Sequence, residues 1–197
     1  MKGRTLSRVG YLLGVLLAVS AMSFAGTSKS TVQARPTKAS STWDTHKEAT
    51  DLLSGIETDS RHIATLADEV IMLRRQPAVA WTSHGYTLME IREAVNDMGM
   101  KLSRLETIRS SALAWQQQAI DRVAPLVRLT ADNVQDAILF LNANQHGLWK
   151  PEYGKYTRNM AAEAGQIATS VREFETYANA RQREMQLGKD LGMSSGS

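Results

Sequence analysis

WTSHGYTLMEIREAVNDMGMKLSRL, residues 81–105, decides the fold. Trp81, His84, Leu88, Ile91, Val95, Met98, Leu102 and Leu105 recur in steps of three and four without a break. Strands alternate with period two, whereas this spacing sets one stripe along a helix and forms the seam of a coiled-coil-like bundle. The start of the helix reads two ways. Thr87-Leu-Met-Glu90 has the form of a capping box and would begin it at Thr87, but the stripe reaches back to Trp81.

The same period continues on both sides. A first helix is expected from about Thr45 to Arg75, with Ala49, Leu52, Ile56, Ile63, Leu66, Val70 and Leu73 on its stripe. Asp59 occupies one core heptad position of that stripe, and Asn96 lies beside the second helix's stripe. Either polar residue could set register. Arg74 and Arg75 suit a helix C-terminus and Pro77 follows them. After the second helix, Ser110 and Ser111 offer an N-cap, so a tight turn is expected there, the alternative being one long helix from 84 to about 124, since no Gly or Pro separates the two. The third stripe is Ile120, Val123, Val127, Val134, Ile138 and Leu141, and Pro125 inside it should kink the helix or begin a new segment. Pro151 opens a fourth helix, whose stripe is Tyr153, Tyr156, Met160, Ala164, Ile167, Val171, Phe174 and Ala178. Ala161, Ala164, Gly165 and Ala168 are small enough to let a neighbour approach closely. The expected fold is all-α, an up-down-up-down four-helix bundle over residues 43–187.

The ends of the chain read differently. Lys2, Arg4 and Arg8 precede an apolar run at 11–25, and Ser23 and Ala25 stand at −3 and −1 of a cut before Gly26. That is the pattern of a cleaved signal peptide over 1–25, with an uncleaved anchor as the alternative, and implies a periplasmic or secreted protein with no membrane span once the signal is removed. Residues 26–42 are Ser/Thr-rich and read as a flexible linker, and 188–197 as a disordered tail.

Of 23 Lys and Arg against 20 Asp and Glu, three basic residues lie in the signal, which leaves the mature chain at net zero. The basic pI of about 9.3 belongs to the segment removed, so nucleic acid is not an expected partner. With no cysteine, disulfides, thiolate catalysis, Cys-based zinc sites and covalent c-type haem are excluded.

All four tryptophans fall near helix ends. If the first helix runs up and the second down, the links 76–86 and 142–151 share one end. That end gathers Trp81, His84, Tyr86, Asn142, Asn144, His146, Trp149, Tyr153 and Tyr156. The other gathers Trp43, His46, Trp115, Gln116 and Tyr177. The link 142–156, NANQHGLWKPEYGKY, reads first as a helix–helix connection in which aromatic rings cover the last core layer, with Gly147 as the C-cap. It is also the expected place for a binding site, with Trp81, His84, Tyr86, Asn144, His146, Trp149 and Tyr153 as candidate ligand-binding residues.

Catalytic and metal motifs are missing. There is no Gly-x-Ser-x-Gly elbow, no HExxH and no Glu-x-x-His pair, and no two histidines stand three or four apart. Met98 and Met100 point about 200° apart on a helix and do not converge on one ion. No catalytic residue, metal ligand or cofactor is assigned. The expected function is a non-catalytic binding or interaction module of the bacterial cell envelope. Its partner would be a protein or another component of the envelope, or a second copy joined as a homodimer through the small residues of the fourth helix. The alternative is a small-ligand, metal or haem-binding bundle that uses the aromatic/His cluster.

Overall fold

The structure, a computed structural model, describes residues 42–76 and 78–192, without the side chains of Thr42 and Trp43. The expected signal peptide, residues 26–41 of the expected linker and residues 193–197 lie outside the described residues. Four α-helices and no strand are present among the described residues: α1 (Thr42–Arg74), α2 (Trp81–Ile108), α3 (Ala114–Ala143) and α4 (Pro151–Asp190). They pack as a helical bundle in which α1 and α3 each lie against both α2 and α4.

On α2 every stripe residue but Trp81 is buried. The helix begins at Trp81, so the Thr87 capping box is not used. Thr87 instead donates its hydroxyl to the Ser83 carbonyl inside the helix. On α1 the buried seam is Ala49, Leu53, Ile56, Ser60, Ile63, Ala67 and Val70. The polar residue in that seam is therefore Ser60, not Asp59. Ser60 donates to the Ile56 carbonyl at 2.6 Å and lies 3.3 Å from Met98 Sδ on α2. Asp59 sits at the edge of the seam and accepts from Lys101 at 2.6 Å. Asn96 is exposed.

The break between α2 and α3 lies where a turn was expected, but the serines do not cap it. Residues Arg109–Ser111 form one 3-10 turn, and Ala112 and Leu113 are extended. The cap comes from inside the helix, where Gln116 Oε1 accepts the Leu113 N–H at 2.8 Å. Gln116 is fully buried, and its Nε2 donates to the His46 carbonyl at 2.7 Å and to Thr50 at 3.0 Å, tying the start of α3 to α1. Pro125 begins no new segment: α3 runs through it unbroken. Its ring faces solvent while Val123 and Val127 stay buried in phase, so the carbonyl left without a donor lies on the wet side of the helix.

Gly147 is not the C-cap of α3; Asn144 is. Its Nδ2 donates to the Phe140 carbonyl, and its Oδ1 accepts from Lys150 at 3.0 Å. Aromatic rings close this end only in part: Tyr153 is fully buried, with Phe140 stacked on it. Trp149 is 71% and Tyr86 79% exposed, whereas Gly147 and Leu148 are tucked in. The boundaries at the chain ends also shift. α1 takes in Thr42, and α4 runs through Gly188 to Asp190 before the turn at Gly192, whose φ of 65° suits a glycine. Of the small residues of α4, Ala164 and Ala168 are buried, whereas Ala161 and Gly165 are half-buried.

Candidate functional site

Of the residues singled out at the link end, the structure brings two into contact. His84 is 2% exposed and Tyr153 fully buried, and their Nδ1 and hydroxyl lie 3.1 Å apart. Phe140 stacks on the Tyr153 ring with centroids 5.7 Å apart. Arg74, at the end of α1, lays its guanidinium against Gly154, where a β-carbon would collide with it. Burial holds the His84 imidazole below its ordinary pKa and pushes the Tyr153 phenol up, the nearby Arg74 charge opposing the latter shift. The imidazole is therefore held neutral, which lets it pair with the Tyr153 hydroxyl. The remaining candidates do not join this pair. Trp81 is 37% exposed, Tyr86, His146 and Trp149 face solvent, and Asn144 is engaged with Phe140 and Lys150.

A cleft of about 1020 Å³ opens at the other end, between the first turns of α1, the start of α3 and the last turns of α4. Its apolar lining includes Leu113, Trp115, Tyr177 and Met185, and charged residues such as Lys47 and Arg181 also border it. Three local features shape it. Gln116 pulls the start of α3 against His46 and Thr50. α4 is the longest helix at 40 residues, against 30 for α3. Glu175, on the wall formed by α4, has its pKa raised, first by burial and then by the like charge of Glu57, against the pull of Arg61.

His46, Trp115 and Tyr177, sorted to this end by the sequence but not chosen as a site, all line the cleft. Leu113, Gln118 and Met185 were missed. Leu113 reads as the tail of a turn, and Met185 lies close to the expected end of a helix. A shallower groove of about 610 Å³ runs along α2 and α3 past Asn96, Met100 and Arg128. Met98 is buried and Met100 exposed, so the two diverge as the helix geometry requires. Among the described residues no three His, Asp or Glu side chains converge as a metal site, and no helix is long and apolar enough to cross a membrane.

Set beside family models, curated proteins and solved structures, the chain matches none.

Proposed function

We propose that this chain is an exported, non-catalytic interaction module of the bacterial cell envelope, periplasmic or secreted after signal cleavage, and that it holds a protein partner in the cleft between α1, α3 and α4. The observation that carries the reading is the make-up of that cleft. It has an apolar floor of Leu113, Trp115, Tyr177 and Met185 with charges around it, the arrangement of a protein interface. At about 1020 Å³ it stands at the top of the roughly 300–1,000 Å³ range of small-ligand pockets, and it is a partly open cleft between helix ends, not an enclosed cavity. An amphipathic helix laid in a groove suits it better.

The proposed topology is up-down-up-down. Asp59 meets Lys101 while the earlier Glu48 meets the later Arg104, so α1 and α2 read as antiparallel. Arg74 lies by Gly154 and Glu57 by Arg172, which gives the same sense for α1 and α4. The alternative, a small-ligand, metal or haem site at the link end, has less support, because His84 and Tyr153 satisfy each other there.

The test is site-specific photo-crosslinking in an exporting bacterial host, with the reactive residue at Gln118 in the cleft or at Tyr86 at the far end. The expected result is a discrete protein adduct from 118 only, lost in Trp115→Ala at unchanged helicity. Equal adducts from both positions, or adducts indifferent to Trp115, would remove the cleft from the argument.

A further inference from the structure

We propose that the cleft end is where a second copy of this chain docks, its α4 lying antiparallel to this one; the inference rests on reading that end as a binding surface. Phe174, Tyr177, Arg181, Glu184, Gly188 and Leu191 recur in steps of three and four, which is a coiled-coil seam. Higher on α4 the face that carries this seam is covered by α3, where Asn133 bonds to Glu163 at 3.0 Å and to Asn159 at 3.2 Å. α3 begins at Ala114, and its first residues border the cleft together with Tyr177, Arg181 and Met185. There the seam is only partly covered: Phe174 still packs on the core, whereas Tyr177 and Leu191 stand exposed, as do the neighbouring Met185 and Leu187.

The seam is complementary to itself in one register. With a twofold axis between Gln182 and Arg183, Arg181 faces Glu184 of the second copy, Tyr177 faces its Gly188 and Phe174 faces its Leu191, each pairing occurring twice. A cation meets an anion, a large ring meets a residue without a side chain, and apolar meets apolar. Shifting the pairing by one heptad in either direction sets Arg181 or Glu184 against Phe174, Tyr177, Gly188 or Leu191. Parallel pairing sets Arg181 against Arg181 and Glu184 against Glu184. Within the chain, among the described residues, neither charge has an ion-pair partner, and Arg181 is held only by the Tyr177 hydroxyl at 3.0 Å. The two charges are thus free to select register and orientation, as polar seam positions do.

The experiment is sedimentation equilibrium of the full chain beside three variants, Arg181→Glu, Glu184→Arg and the double exchange. The wild-type chain is expected to dimerise reversibly. Each single reversal, which places like charges across the axis twice, should raise the dissociation constant at least tenfold, and the double exchange should restore it. Far-UV circular dichroism checks that α4 stays helical in all four proteins. A wild-type chain that stays monomeric overturns the inference, as does a dimer indifferent to the single reversals or a double exchange that fails to rescue. A monomer that still gives the adduct from Gln118 removes the second copy and leaves the cleft as a site for another partner. Loss of that adduct as well removes both.

Discussion

Acidification should weaken the bundle through His84, and the size of the effect can be bounded. The imidazole is 2% exposed, bonded to Tyr153, and held by burial below its ordinary pKa. The unfolded chain therefore binds a proton that the folded chain refuses. Stability from this group is fully present above the unfolded histidine value, about 6.5, and is lost as pH falls below it until the folded pKa is reached. A single such proton has a slope of at most about 1.4 kcal/mol per pH unit, so the loss between pH 7.5 and 5.5 is at most about 1.4 kcal/mol. With a urea m-value of about 2 kcal/mol/M, the midpoint moves down by up to about 0.7 M. Glu163 and Glu175 act in the opposite sense. Burial raises both, so they add stability as pH falls through the carboxylate range. The raw curve therefore mixes signs, and the informative quantity is the difference from His84→Gln, which keeps a hydrogen-bonding partner for Tyr153 but does not titrate. Urea melts of both proteins at half-unit steps should show the wild type losing more stability than the variant down to pH 5.5. Equal losses in the two proteins would refute the account of His84 as a buried neutral base.

Three further outcomes follow from the packing. Tyr153→Phe leaves His84 Nδ1 buried without its partner and should cost about 1–3 kcal/mol in chemical denaturation at pH 7.5. Gln116→Leu strips the Leu113 N–H and the His46 carbonyl of the amide that serves both, and should also cost about 1–3 kcal/mol. It should loosen the start of α3, seen as faster amide exchange at residues 113–117. Pro125→Ala restores a helix hydrogen bond at an exposed site and should raise stability by about 1–3 kcal/mol, read as a higher melting temperature.

The helices were legible because their stripes are long. Eight positions in unbroken register leave a strand no room, and the stripe on α2 was read correctly down to its one exposed member, Trp81. Ser60 was missed because a seven-residue repeat and a 3.6-residue turn drift apart, so Asp59 and Ser60 compete for one seat and only packing against Met98 decides. Gln116 was placed at the correct end, but its part in closing the α2–α3 turn was invisible: the cap is a side chain reaching back from inside the helix, and it exists because the same amide also holds α1. The cleft was the least legible feature. It is created by how far α4 runs on beside α3, and relative lengths are a tertiary fact. Gly188 looked like a stop, whereas the helix continues two residues beyond it.

The two ends of the bundle differ in how their polar groups are used, and that difference argues for where binding occurs. Among the described residues no buried side-chain nitrogen or oxygen lacks a hydrogen-bond partner, so the interior holds no spare group to offer a ligand. At the link end His84 and Tyr153 consume each other, Asn144 serves Phe140 and Lys150, and Arg74 lies against Gly154. Opening the buried His84–Tyr153 pair to a ligand would strand one partner at a cost of about 1–3 kcal/mol. At the cleft end Gln116 likewise has its partners, and the pairs beside it, Lys47 with Asp51 and Arg181 with Tyr177, are exposed. Leu113 and Met185 are apolar and already exposed, and the Tyr177 hydroxyl has its partner in Arg181, so covering them removes apolar surface from water without stranding a polar atom. The end with the richer polar chemistry is therefore the more expensive one to open, and the plainer end is the one on which a partner can settle.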